Sequence, residues 1–243
     1  MPHLLTRPTI STSRALGAER GFTLVELLVV MASGILVASA LFTILDVTLH
    51  QTTRTFSRVD ATQRARNVLE RIENEMHSAC VANDVRPIFS GSTDTSVSFW
   101  SGYGNAVNVT PLKRTISFDS TTGKLTESVY PLASGTSPST WQASATPSST
   151  ETLLTNVAQS GSTPVFQYYE LTEPGNTLPL QVPLTADGAE NASEVGITLV
   201  VKPTGGTHQN VNLAANTVTN SVLLRLTPIS NPDGQAEEFP PCA

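Results

Sequence analysis

The chain has 243 residues, of which 39% are hydrophobic and 14% are charged, so it can hold one folded domain with an added segment. The formal net charge is −6, and residues 81–243 carry six basic and thirteen acidic side chains. Nucleic-acid binding depends on Lys and Arg that neutralise phosphates, so this composition argues against direct binding of nucleic acid.

The N-terminal residues predict a membrane anchor. Residues 1–21 carry three arginines and one glutamate, and the 19 residues from Leu27 to Leu45 contain no charge. A run of this length can cross the hydrocarbon core as a helix. A basic flank keeps the N-terminus cytoplasmic, so we expect a single-pass protein of the inner membrane with its C-terminal domain outside the cytoplasm.

Glu26 stands at the front edge of this apolar run, where an acidic side chain is costly. One interpretation is a secretory signal cleaved after Ala40, in "VASA", although the uncharged stretch exceeds the usual 7–15 residues. Another is an uncleaved single-pass anchor. Neither interpretation gives Glu26 a purpose.

The stretch "RGFTLVE", residues 20–26, resembles the cleavage and methylation site of type IV prepilins, a family that includes pilins, competence pilins and type II secretion pseudopilins. The resemblance implies that prepilin peptidase removes the leader, residues 1–21, by cutting between Gly21 and Phe22. It also implies that Phe22 becomes the N-methylated first residue. Glu26 would then pair with the Phe22 amine of a neighbouring subunit during filament assembly.

Elementary electrostatics supports this role for Glu26. The helix macrodipole favours an acidic group in the first turns and disfavours a terminal amine there. Opposite charges attract strongly when water is excluded, and an unpaired one is costly. Glu26 would therefore set the position at which the helices stack.

One long helix is predicted from about Phe22 to Ala79, with a transmembrane or filament-core part over residues 22–46 and an amphipathic continuation over residues 47–80. No Pro or Gly occurs between Ile35 and Cys80. Apolar residues recur at helical spacing and predict the face that packs on the outer domain. They are Leu45, Leu49, Phe56, Val59, Leu69, Ile72, Met76 and Ala79.

Residues 81–243 are predicted to form an extracytoplasmic β-rich domain. Strand-like segments are expected at 96–100, 114–119, 124–130, 164–170, 194–201 and 220–226. "FDSTTGKL" reads as a hairpin, and without long crossover helices the sheet should be mainly antiparallel. The predicted class is therefore α+β, with the long helix packed on the sheet as the resemblance to pilins also implies.

Residues 133–150 are rich in Ser and Thr and predict a surface loop or disordered insertion. The resemblance to pilins allows O-glycosylation there, but an unmodified loop is favoured. Trp141 within it is either an exposed contact residue or folds back onto the domain. The C-terminal "NPDGQAEEFPPCA" is not expected to form a strand. The order of features resembles the larger minor subunits of the PilW or pseudopilin-J type.

Cys80 and Cys242 both lie on the exported side of the predicted anchor. An oxidising compartment favours a disulfide between them, and two unpaired thiols are the alternative.

Recognisable catalytic or cofactor motifs do not occur, so we expect a protein that is not an enzyme and needs no cofactor. A calcium site at Asp233, Glu237 and Glu238 is less favoured than a solvated acidic tail. A metal site at His77 and Cys80 would have only two ligands and is also not favoured.

The sequence therefore predicts a minor pilin or pseudopilin, a structural subunit of a pilus, competence or type II secretion filament. The partners that the resemblance implies are prepilin peptidase, other pilin or pseudopilin subunits, the inner-membrane assembly platform and membrane lipid. The final location would be a cell-surface or periplasmic filament. The alternative is a single-pass surface adhesin or sensor that is not built into a filament.

Overall fold

The computed structural model describes residues 21–80, 88–102, 111–134, 141–173, 176–203 and 216–224. The chain divides into two compact units, Met1–Gln51 and Thr52–Ala243. The first described element, helix α1 (Leu24–His77), runs from the first unit into the second. The prediction of one long, uninterrupted helix is thus confirmed.

The part of α1 in the first unit has no partner surface within that unit. Every described residue from Gly21 to Gln51 is exposed. The apolar side chains of this stretch are therefore available to lipid or to other proteins.

The part of α1 in the second unit packs through a narrow stripe. The buried apolar residues are Ala61, Ala65, Leu69, Ile72 and Met76. Spacings of three and four place these residues on one helix face.

This stripe confirms only part of the predicted face. Phe56 and Val59 are exposed, and so are Leu45 and Leu49 in the first unit. On the buried face, Ala61 and Ala65 lie where the sequence pattern predicted larger apolar side chains. Small side chains let neighbouring backbone approach a helix closely, and patterning by hydrophobic size does not detect them.

A four-stranded antiparallel sheet follows the helix. It consists of β1 (Ser96–Ser101), β2 (Leu112–Asp119), β3 (Lys124–Tyr130) and β6 (Ser149–Thr155), in the order β1-β2-β3-β6. Side chains alternate between the two faces as strand geometry requires. On β1 and β2 the core-facing side chains include Val97, Phe99, Ile116 and Phe118.

The second sheet has a different order. It contains β7 (Val157–Ala158), β8 (Phe166–Glu173), β9 (Asn176–Pro179), β10 (Ala192–Val201) and β11 (Asn216–Leu223). The order is β11-β10-β8-β9, with β7 also pairing with β10, and all pairs are antiparallel. Strand β10 is buried along most of its length because it has neighbours on both edges. The short helix α2 (Ala186–Asn191) directly precedes β10.

One apolar core joins the helix stripe to both sheets. A smaller cluster forms around Cys80 and Trp100, with Phe89, Leu132 and Trp141 packed against it. The α+β pilin-like architecture is confirmed. For Trp141, the structure supports the alternative in which this side chain folds back onto the domain.

The described parts of the predicted loop over residues 133–150 include short strand segments. Strands β4 (Leu132–Ser134) and β5 (Gln142–Ala143) pair with each other, and Ser149 begins β6. Backbone pairing to β3 stabilises β6 even though its side chains are mostly polar and exposed. Residues 135–140 lie outside the described residues, as do residues 225–243 at the C-terminal end.

Candidate processing and assembly site

The predicted cleavage site lies directly before helix α1. The Thr23 carbonyl accepts a hydrogen bond from the Leu27 N–H at 3.2 Å, and Thr23 Oγ1 accepts from the Glu26 N–H at 3.3 Å. Thr23 is therefore the N-cap of the helix. Gly21 and Phe22 precede the cap in non-helical backbone, and Phe22 is 77% exposed.

The sequence prediction began this helix at about Phe22, two residues before its actual start at Leu24. The missed signal was the spacing of Thr23 and Glu26, which is that of a capping box. As a result, the Gly21–Phe22 bond lies in exposed backbone outside the helix, where a peptidase can reach it.

Packing within the chain does not explain the glycine at position 21. A Cβ atom added to Gly21 would meet no atom within 4 Å, and the same is true of Gly34 within the helix. The need for glycine at this position would therefore arise from contact with another molecule.

Glu26 lies in the first turn of α1, where the helix macrodipole favours its negative charge. Its side chain is exposed, and it forms no ion pair with any of the described residues. The carboxylate is thus open to a partner from outside the chain.

The other polar side chains in this part of the helix are satisfied internally. Hydroxyl groups donate to backbone carbonyls three or four residues earlier, at 2.8–3.0 Å. These residues are Ser33, Ser39, Thr43 and Thr48. Such bonds let a hydroxyl enter lipid at low cost. Glu26 has no equivalent arrangement, which sets it apart from its polar neighbours.

Helix α1 is the one helix of the described chain that is long and apolar enough to cross a membrane. Its most apolar stretch has a mean hydropathy of 2.5, and none of that stretch is buried within the chain. The length and the exposure of this apolar stretch agree with a membrane anchor.

A comparison with known families agrees with this geometry. Residues 16–32 match the family model described as the prokaryotic N-terminal methylation motif. The N-terminus is that of a type IV pilin-like precursor. The matched segment includes the Gly21–Phe22 bond, the Thr23 cap and Glu26 of this precursor. No curated protein matches the chain.

The remaining predicted sites lie outside the matched residues 16–32. Cys80 is disulfide-bonded and nearly buried, so its thiolate is not available for a metal site with His77. Cys242, the other cysteine of the sequence, lies outside the described residues, and its pairing with Cys80 stays a prediction. The acidic residues considered for calcium, Asp233, Glu237 and Glu238, also lie outside the described residues.

Proposed function

We propose that this precursor matures into a minor pilin or pseudopilin, a non-catalytic structural subunit of a type IV pilus-like filament. The observation that carries the proposal is the position of the methylation motif directly before an apolar helix segment that the chain itself leaves entirely exposed. A segment of this kind needs a cover from outside the chain.

In this proposal the apolar segment has one surrounding before assembly and another after it. Membrane lipid surrounds the apolar segment before assembly, and the equivalent helices of neighbouring subunits surround it in the filament. Removal of apolar surface from water contributes roughly 25 cal/mol for each Å², so the segment stays covered at each stage, but lipid tails are as apolar as neighbouring helices and this attraction has no direction. Non-directional attraction does not fix the axial position of one helix against another.

In this proposal the charge of Glu26 fixes the axial position of one helix against another. Cleavage after Gly21 would place an amine at Phe22, directly before the Thr23 cap. The amine is disfavoured at its own helix N-terminus, and the carboxylate of Glu26 has no ion-pair partner among the described residues, so each charge gains by pairing with a neighbouring subunit. The partners in this scheme are prepilin peptidase, other pilin or pseudopilin subunits and the inner-membrane assembly platform.

Processing is tested by the mass of the mature N-terminus in cells that contain prepilin peptidase. We expect methyl-Phe22 as the first residue of the wild type. Gly21→Val should leave the full-length precursor, because the peptidase would lose the flexible, unbranched residue before the cut. Gly34→Val is the matched control, since an added side chain meets no atom of the chain at either position; it should be processed normally.

Other N-termini would contradict the proposal and identify the alternative. Retention of Met1 in the wild type would indicate an uncleaved anchor, as in a surface adhesin or sensor. A chain that begins at Leu41 would indicate an ordinary secretory signal. Equal loss of processing in Gly21→Val and Gly34→Val would show that the apolar segment, and not the motif, is what the peptidase reads.

A further inference from the structure

Five charged side chains meet between helix α1 and the core-facing side of the first sheet. Arg71 and Glu75 come from α1, Arg114 from β2, Glu127 from β3 and Glu151 from β6. We call these five residues the charge cluster. Glu75 and Glu127 are each only 1% exposed, whereas the side chain of Glu151 is 61% exposed and remains in water.

Glu127 is paired through both of its carboxylate oxygens. Its Oε1 accepts from Arg114 Nη1, and its Oε2 accepts from Arg71 Nη2 at 2.7 Å. Two charge-assisted hydrogen bonds from two guanidinium groups replace the water that burial removes from this carboxylate.

Glu75 is paired through one oxygen only. Its Oε1 accepts from Arg71 Nε at 3.0 Å and lies 3.6 Å from Arg114 Nη1, the same nitrogen that binds Glu127. Its Oε2 is buried and has no hydrogen-bond partner among the described residues. A buried charge with one oxygen unsatisfied is costly.

The charge cluster holds three carboxylates and two guanidinium groups, so it has one negative charge in excess. Arg71 is divided among Glu75, Glu127 and Glu151. Water reaches Glu151, and both oxygens of Glu127 accept hydrogen bonds from arginines. Glu75 is the carboxylate that is buried and has one oxygen without a hydrogen-bond partner among the described residues.

We propose that Glu75 is a proton-binding site, which keeps its proton in the folded chain at a pH where exposed glutamates are ionised. The proton removes the excess negative charge from the interior. Loss of this proton as the pH rises leaves a repelling, poorly solvated carboxylate between the helix and the sheet. The packing of α1 on the first sheet is therefore tighter at mildly acidic pH than at alkaline pH.

The electrostatics of the surrounding groups agree with this assignment. Burial raises the pKa of Glu75 above its ordinary value of 4.5 and outweighs the hydrogen bond from Arg71, which lowers the pKa. The negative charge of Glu127 raises the pKa of Glu75 further. Between 4.5 and the raised pKa, the folded chain holds more protons than the unfolded chain, so stability falls as the pH rises.

Glu151 responds in a different pH range. The hydrogen bond from Arg71 lowers the pKa of Glu151 below its ordinary value of 4.5. Its stabilising pair is therefore complete above that value and is lost only as the pH falls towards the lowered pKa. The two effects do not overlap, so a falling stability above pH 4.5 reports on Glu75.

The test compares thermal unfolding of the full chain in neutral detergent from pH 4.5 to pH 8. The signal is tryptophan fluorescence, from Trp100, which is 2% exposed in the folded domain, and from Trp141, which packs against the same cluster. Glu75→Gln should unfold at the same Tm as the wild type at pH 4.5 and roughly 2–4 °C higher at pH 8, the shift that corresponds to about a fivefold change in the folding equilibrium for a chain of this size. Glu127→Gln should lower Tm at both pH values, and Glu151→Gln should leave the slope between them unchanged.

A lower Tm for Glu75→Gln than for the wild type at pH 8 would overturn the proposal, because it would show that the ionised carboxylate stabilises the fold. An unchanged pH slope in Glu75→Gln would also overturn it. If that variant does not fold, the infrared spectrum of the wild type decides. The band of a protonated carboxyl group must persist above the pH at which exposed carboxyl groups have ionised, and its absence would refute the assignment.

Discussion

Thr23 and Glu26 both lie at the N-terminal end of α1, where the backbone and the carboxylate of Glu26 have different roles. The hydroxyl of Thr23 and the backbone N–H of Glu26 bond to each other and fix where the helix begins. The carboxylate of Glu26 takes no part in the described ion pairs and stays exposed. The capping of the helix is thus internal to the chain, while the charge is left for a partner.

This division predicts the behaviour of Glu26→Gln. Glutamine keeps the backbone N–H and the capping-box geometry but removes the charge, so we expect a normally folded outer domain and at least a tenfold loss of incorporation into filaments, the equivalent of about 1.4 kcal/mol. Asp46→Asn is the control, because the Asp46 carboxylate is exposed and its ion-pair contact among the described residues is with His50 at 3.4 Å. Immunoblots of sheared filaments and circular dichroism measure the two properties. Equal incorporation of both variants would remove the role of Glu26 in stacking.

At the scale of elements, the turn between β2 and β3 shows how local chemistry fixes a hairpin. Asp119 Oδ1 accepts from the Thr121 N–H at 2.8 Å, and Asp119 Oδ2 accepts from the Thr122 hydroxyl at 2.7 Å. These bonds lower the pKa of Asp119. Gly123 then adopts a φ of 62°, and its N–H donates to the Asp119 carbonyl at 2.8 Å. The turn brings β3 back in register with β2.

Gly123→Ala should destabilise the outer domain more than Gly161→Ala. Both glycines have positive φ, so both substitutions carry backbone strain of about 1–2 kcal/mol. A Cβ at Gly123 would also lie 3.0 Å from the Val157 carbonyl oxygen, whereas one at Gly161 meets nothing within 4 Å. Chemical denaturation should show the difference as a lower midpoint for Gly123→Ala, and equal midpoints would contradict the close approach of the turn to β7.

In the whole molecule, the apolar residues that form the core are different from the exposed apolar residues near the start of α1. The main core begins at Ala61 on the helix and draws no residue from the first unit. Among the described residues, the exposed apolar side chains of the first unit take no part in this core.

A chain that starts at Thr52 should accordingly fold and stay monomeric without detergent, while the full chain should need detergent or lipid. Sedimentation and near-ultraviolet circular dichroism would measure association and tertiary packing. The control is the full chain in detergent, whose near-ultraviolet spectrum the truncated chain should reproduce. Loss of that spectrum on truncation would show that the first 51 residues support the core.

The sequence determined the long helix, its apolar front, the methylation motif and most strands of the outer domain, because these depend on local spacing and composition. Tertiary structure decided which helix residues are buried, since Ala61 and Ala65 contact the core while the larger Phe56 does not. It also decided that β6 is a strand, because backbone pairing with β3 compensates for its polar side chains. The same holds for Glu75 and Glu127. The sequence alone predicts that both carboxylates are solvated. Only the packing of the helix on the sheet removes water from them and places Glu75 and Glu127 beside the same two arginines.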